Sequence, residues 1–415
     1  MGQGVSLIGT WMQSVAMSWL VYRLTGSALL LGVVGFATQI PNFILSPVAG
    51  VMADKYNRHK ILLLTQTLAM CQAFALAFLV VTGRVEVWHI LVLSSFLGLV
   101  NAFDIPARQA FVVELIEKKE DLGNAIALNS SMFNAARLLG PSIAGILIGL
   151  VGEGMCFLVN GLSYIAVLGA LLAMHVPARK REAPGIPLLR RFKDGFDYTF
   201  GFAPIRFIIL LLALTSLTGM PYMVLMPVFV KEVLHGGPKT LGFLMACSGA
   251  GALTAALTLA SRRSVAGLEK KIPLAGAMFG TGLIALSLSG NFPAAAACIA
   301  VASFGMITQM AVSNTIIQTV VEDDKRGRVM AFYALAFMGM APFGSLLAGW
   351  LASRIGAPHT IMLSGVLSIA GAMAFLSRLP ELREKIRPVY ERLGIAPKIA
   401  VGLGAASELT VPPGD

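Results

Sequence analysis

Charge is scarce in this sequence. Only 13% of its 415 residues are Asp, Glu, Lys or Arg, against 56% hydrophobic residues, and the mean hydropathy is +0.78. Soluble domains carry about a quarter charged residues, so this composition excludes an ordinary soluble protein. Cysteine is rare too. Cys71, Cys156, Cys247 and Cys298 stand within apolar runs at no metal-ligand spacing, which excludes a zinc module and leaves them as small core residues. The histidines lie singly near the ends of apolar runs, and neither a Gly-x4-Gly-Lys-Ser/Thr phosphate cradle nor a His-Glu-x2-His pair occurs. No enzyme, metal or cofactor is expected. Without a nucleotide site, any energy the chain uses must come from an ion gradient.

Long hydrophobic runs are what the chain has in plenty. At about 20 residues per span, twelve are expected, at roughly 4–22, 28–53, 60–82, 87–113, 123–151, 154–176, 205–230, 240–261, 272–290, 292–320, 329–353 and 357–377. The fold class is therefore an all-α membrane protein. With the amino terminus placed in the cytoplasm, the loops and tail on that side hold 25 of the 32 Lys and Arg, and the opposite loops hold 5. This bias predicts a multi-pass protein of the bacterial inner membrane with both termini cytoplasmic. It also accounts for the net charge of +11 better than nucleic-acid binding, because the bases sit between apolar runs rather than on one face. The expected partner at this level is the lipid bilayer, with no nucleic acid, and the chain is expected to act as a monomer.

The stretch from Pro177 to Pro204 combines prolines with the run Arg179-Lys180-Arg181 and divides the chain. The expected units are a six-helix half over 1–176, a cytoplasmic linker over 177–204, a second half over 205–377 and a mostly mobile cytoplasmic tail over 378–415. Within the linker Leu189, Phe192, Phe196 and Phe200 recur at helical spacing, away from Arg190, Arg191 and Lys193. That pattern predicts an amphipathic helix on the inner membrane surface, with a solvated linker as the alternative. Arg137-Leu-Leu-Gly-Pro-Ser-Ile-Ala-Gly is echoed about 200 residues later by Met338-Gly-Met-Ala-Pro-Phe-Gly-Ser, each after an acidic-basic loop, as expected of a duplicated half.

Polar residues inside the runs are few and therefore informative. Ser94, Gly98, Asn101, Asp104 and Arg108 follow one another at steps of four, three, three and four, on one face of the fourth segment, with Pro106 between the last two. Ser130, Asn134, Arg137 and Pro141 share a face of the fifth. Counting about 1.5 Å per residue, Asp104 and Arg137 reach depths within roughly 5 Å of each other. Asp104 is the only carboxylate deep in any expected span. Two readings stay open: a structural ion pair, or a proton carrier set between Arg108 and Arg137, where desolvation favours the neutral acid and the arginines the carboxylate. Gln13, Asn101, Asn134, Tyr222, Gln309 and Asn314 are candidates for a substrate cavity. Met220, Met223, Met226, Met306 and Met310 offer an adaptable apolar wall. Each of these is also readily explained as packing.

Between the second and third segments lies Gly50-Val-Met-Ala-Asp-Lys-Tyr-Asn-Arg-His-Lys. On charges alone it is an ordinary positive-inside loop, with Asn57 as a residue that tolerates a left-handed turn. Its order, however, resembles the loop signature of the major facilitator superfamily. Gly50, Ala53, Asp54, Lys55 and Arg58 match, Asn57 stands for a glycine, and His59 with Lys60 stands for the final base. The second copy, Ala260-Ser261-Arg262, has lost the acid. Gly140, Pro141 and Gly145 resemble the glycine-proline antiporter motif of drug exporters, with Ala144 at one glycine position. Together with Asn101-Ala-Phe-Asp-Ile-Pro-Ala-Arg-Gln-Ala and Asp324-Lys-Arg-Gly-Arg, these stretches make the chain look like the branch with macrolide-efflux proteins and the enterobactin exporter.

The resemblance implies the major facilitator fold, two pseudo-symmetric six-helix halves, and a proton-coupled exporter of small amphipathic, drug-like or siderophore-like molecules working by alternating access. It also implies an inner gate in which Asp54, oriented by Arg58, faces the amino end of the eleventh segment near Arg328 and Val329. Related transporters carry a basic segment before the first helix, so the abrupt start at Met1-Gly2-Gln3 points to a missing leader or a misplaced start. The alternatives are a symporter or lipid transporter of the same superfamily and, from a different class, a non-transporting receptor or scaffold.

Overall fold

Residues 2–114, 122–174, 188–261 and 267–392 are described by the computed structural model, and no strand occurs among them. The helices are α1 (Gly2–Thr25), α2 (Ala28–Lys55), α3 (Arg58–Val81), α4 (Val87–Glu114), α5 (Leu122–Val151), α6 (Glu153–Ala173) and α7 (Leu188–Gly201). They continue with α8 (Ala203–Leu214), α9 (Tyr222–Glu232), α10 (Pro238–Ala260), α11 (Lys271–Leu288), α12 (Phe292–Val320), α13 (Asp323–Met338), α14 (Ala341–Ile355) and α15 (Ala357–Arg392). In a bilayer every backbone N–H and C=O must be paired within the segment, and helices this long do that.

Eleven spans among the described residues are long and apolar enough to cross a membrane. With 24 residues α1 matches α3 in length. It is less apolar because Gln3, Ser6, Thr10, Gln13, Ser14 and Ser18 face an internal cavity. The seventh span is broken: α8 runs into a π turn over Thr215–Gly219 before α9 begins behind Pro221. The eleventh is broken between α13 and α14, ahead of Pro342. Proline removes a ladder donor, and the widened turn restores one bond, from Met220 N–H to Thr215 O at 2.9 Å.

Asn57 does not take the left-handed turn expected of it. Its φ is −66°, and its side chain caps α3 by accepting a hydrogen bond from the Lys60 N–H at 3.2 Å. A short amide beside an orphan helix N–H gains more as a cap than as a substitute for glycine.

Helices α1 to α6 pack among themselves, α1 on α5 and α6, α2 on α4, and α3 on α4 and α6. In the second set α11 packs on α12 and α15, and α10 on α12. The two most extensive crossings between the sets are α5 on α10 and α2 on α14. Both are made by glycine against glycine. A Cβ on Gly145 would stand 2.9 Å from the Gly242 Cα, and one on Gly32 would stand 2.9 Å from the Gly349 Cα. Both lie toward the end of the bundle opposite the start of α1, where the Tyr22 hydroxyl also donates across the sets to Glu232 Oε1 at 2.6 Å.

The linker helix forms as α7, and Phe196 and Phe200 meet Phe332 of α13 at ring-centroid distances of 6.1 and 6.3 Å. The side chains of Leu189 and Phe192 lie outside the described residues. The expected mobile tail is corrected over 378–392, which continues α15 as helix. Leu379, Leu382, Ile386 and Tyr390 recur at steps of three and four and are buried, and Arg383 Nε bonds Glu269 Oε1 at 2.9 Å. That periodicity gives the extension a face to bury, which prolines alone do not prevent. Residues 393–415 lie outside the described set.

Candidate functional site

A cavity of about 650 Å³ lies between the two sets, walled mainly by α1, α2 and α4 with contributions from α3, α5, α6, α9 and α10. Near the start of α1 its lining includes Gln3, whose amide makes an exposed hydrogen bond to Asn129, and the exposed Gln109. Near the other end the lining residues Val21 and Leu31 are 1% and 3% exposed. The cavity therefore opens at the end where α1 begins and is shut at the glycine crossings.

Ser94, Asn101, Asp104 and Arg108 line this cavity from one face of α4, while Gly98 turns to α2, where a Cβ would collide with Thr38 O. Asp104 is only 6% exposed. Its Oδ1 accepts from Thr65 Oγ1 at 2.8 Å and Gln66 Nε2 at 2.7 Å, and its Oδ2 from Arg108 Nη2 at 2.6 Å and Nε at 2.9 Å. Four donors thus converge on one buried carboxylate, which is how a charge is tolerated at that depth. Gln66 Oε1 is left buried without a partner beside it. Deeper in the bundle Gln13 donates to Gln72 Oε1 at 3.0 Å and accepts from Asn160 Nδ2 at 2.7 Å, tying α1 to α3 and α6. Thr65, Gln66, Gln72 and Asn160 were not among the expected site residues. Their signal was present as amides and a hydroxyl inside otherwise apolar runs.

Arg137 does not join Asp104. It is 7% exposed, and its guanidinium lies 5.8 Å from the centroid of the Trp11 ring, which itself stands edge-on to Phe133 at 5.9 Å. The expectation of one acid between two cations is therefore corrected. Equal depth is not adjacency, since α5 packs on α1, α6 and α10 whereas α4 packs on α2 and α3.

The glycine-proline stretch sits where helices meet. A Cβ on Gly140 would stand 2.6 Å from the Trp11 Cβ, Pro141 lines the cavity, and Gly145 makes the crossing with α10. Of the six cavity candidates Gln13 and Asn101 line it, and the other four do not. Tyr222 is buried in a hydroxyl cluster with Ser303 at 3.2 Å and Ser248 at 3.4 Å. Gln309 donates to Thr215 Oγ1 at 2.9 Å, and Asn314 accepts from Gln318 at 2.9 Å. Asn134 lies on α5 outside the lining. Tyr222, Gln309 and Asn314 each find a partner inside the second set, a choice that helical period alone does not reveal. Among the methionines, Met223 and Met245 face the cavity, while Met226 and Met306 are core.

At the gate loop Gly50 has open space around it. Arg58 is buried and binds Glu114 Oε1 at 2.7 Å and Ala53 O at 2.9 Å, fastening the start of α3 to the end of α4. The side chain of Asp54 lies outside the described residues. Arg328 stands 3.8 Å from Asp194 of α7, and Val329 is fully buried. Among the described residues no His, Cys, Asp and Glu cluster has the makings of a metal site.

A family model described as transmembrane secretion effector matches residues 2–400. The staphyloferrin A transporter of Staphylococcus aureus is 27% identical over 89% of this chain and 92% of its own. Macrolide efflux protein A of Streptococcus pyogenes is 25% identical over 90% and 93%. Among solved structures, a bacterial homologue of the human lysosomal transporter Spinster, described as inward-facing and unoccupied, superposes with a TM-score of 0.68 at 14% identity, covering 94% of this chain and 97% of that one.

Proposed function

Because the chain belongs to the transmembrane secretion effector family of major facilitator transporters, we propose that it exports a small amphipathic molecule from the bacterial cytoplasm in exchange for protons. The observation that carries this reading is the cavity between the two sets, open at one end and shut at the other, with Asp104 and Arg108 in its wall. A scaffold needs no such cavity. The bias of basic residues supports cytoplasmic termini, so the open end faces the cytoplasm and this conformation is the one that loads substrate. The macrolide efflux relative supports export over uptake.

Rocking of the two halves would close the open end and part the glycine crossings. In the loading state Asp104 holds Arg108 and two neutral donors as a carboxylate. When the far end opens and Arg108 turns to substrate or water, a proton takes the place of Arg108 on Asp104. The unpartnered Gln66 Oε1 accepts from the protonated acid. Return to the loading state releases the proton inward, so proton entry is coupled to substrate exit. One chain contains both halves and the whole cavity, which is consistent with a monomer.

Growth inhibition by a panel of antibiotics, metals and siderophore-like compounds, in cells with and without the gene, tests the reading. Tolerance to at least one compound should rise with expression and vanish with a protonophore, and unchanged tolerance across the panel counts against export.

The loop after α2 supplies the inner gate in this reading, with Asp54 meeting the amino end of α13 near Arg328 once the cytoplasmic side closes, where free N–H groups favour an anion. Asp54→Asn is expected to express normally and favour inward-facing conformers. Spin-label distances across the cytoplasmic side should lengthen on average, and identical distributions in variant and wild type dismiss this gate.

A further inference from the structure

Asp104 and Arg108 are the charged residues in the cavity lining, and they neutralise each other at 2.6 Å. Arg137 is left over. It is not itself in the lining: it sits one turn from each of the α5 lining residues Phe133 and Pro141, behind the lining residue Trp11, and is 7% exposed. Among the described residues no carboxylate lies within ion-pair distance of its guanidinium, and its recorded contact is the face of Trp11, a cavity wall. A ring face at 5.8 Å supplies no hydrogen bond to the guanidinium N–H donors, and none of the described hydrogen bonds involves them. A buried cation without an anion is costly, and a membrane protein keeps one where a ligand completes it.

We infer that Arg137 is the anion subsite of the cavity and that the transported molecule is an amphipathic oxyanion of carboxylate or phosphate type. The inference rests on the export reading and adds the chemical class of its cargo. Trp11 lies against the guanidinium, and Phe133 stands edge-on to Trp11. An aromatic or aliphatic body packs on these rings, Met223, Leu241 and Met245 while its anionic head takes the fork of Arg137. The guanidinium fork matches two oxygens of one head group, which an ammonium does not. With Asp104 already paired, the net field in the cavity is positive, so a cationic amphiphile is disfavoured.

Binding of naphthylacetate, naphthyl phosphate and the isosteric neutral naphthylacetamide to the full chain in lipid nanodiscs, followed by calorimetry, tests this. One or both anions should bind wild type at least about tenfold more tightly than the amide, the gain of a desolvated charge-assisted pair. Preference for naphthylacetate alone assigns a carboxylate, and preference for naphthyl phosphate alone assigns a phosphate. Arg137→Gln should bring the ratio near one, and Arg137→Lys, which keeps the buried charge and so guards against misfolding, should lower it several-fold. Wild type that binds none of the three or does not distinguish them, or an unchanged ratio in either variant, overturns the inference. Proton-driven transport of the preferred anion is measured separately in proteoliposomes. Anion preference without such transport refutes export alone, and transport without anion preference refutes the subsite alone.

Discussion

Asp104→Asn is expected to fold, to bind substrate and to lose proton-driven accumulation. Asparagine preserves the shape of the side chain and an acceptor for Thr65 or Gln66, which now reach Asp104 Oδ1 at 2.8 and 2.7 Å. It does not cycle between charged and neutral forms, and it releases Arg108, 26% exposed at the cavity, to water. Removing one partner of a fully buried pair costs about 3 to 5 kcal/mol. The loss here is smaller because the arginine regains solvent. In proteoliposomes the variant should catalyse downhill exchange while uphill accumulation falls at least about tenfold, as expected when the one deep carboxylate is removed. Full proton-coupled accumulation by the variant returns Asp104 to the role of a structural ion pair and places coupling nearer the membrane surface.

Gly145→Leu should have the other large effect, on conformation rather than coupling. A Cβ at this position already meets Pro238 O at 2.8 Å and the Gly242 Cα at 2.9 Å, and both are backbone atoms of α10 that have no side chain to move aside. Overpacking of this kind costs about 1 to 3 kcal/mol. In the proposed cycle only the state shut at the far end brings the two glycines together, so the penalty falls on that state. A shift of about tenfold toward outward-open forms follows, since about 1.4 kcal/mol is a factor of ten in population. Labelling of a Val21→Cys reporter, 1% exposed in wild type, by an impermeant maleimide added from outside should rise accordingly. The same substitution at Gly349, against Gly32, should act in the same direction. Unchanged labelling in both means that the crossings do not form the outer closure.

Much of this molecule was legible along the chain. The α4 stripe was readable because a helix repeats its faces every three or four residues, and Asp104 with Arg108 is a local pair that needs no knowledge of neighbours. Gly140, Pro141 and Gly145 were readable only through their resemblance to a known motif. The first span was legible by length more than by hydropathy, since α1 spends its polar residues on the cavity. What misled was depth. Arg137 was placed beside Asp104 by counting residues from the membrane edge, yet Trp11 of α1 is its neighbour, because α5 and α4 pack on different partners. Tyr222, Gln309 and Asn314 were read as cavity residues by type, but each found a bond inside the second half, as buried polar groups do wherever geometry allows.

The sequence by itself determined that the chain is a membrane-embedded bundle of about twelve helices with one deep acid, since hydropathy, charge bias and helical period act on each segment independently of the others. Tertiary structure alone decided that Thr65 and Gln66 hold Asp104, that Arg137 is left with an aromatic face in place of an anion, and that Gly145 with Gly242 and Gly32 with Gly349 shut one end. Those outcomes depend on which helices lie side by side. Lateral order in a bilayer is set by small residues that let backbones approach and by polar groups seeking partners across helices, contacts between residues far apart in sequence that no local pattern encodes.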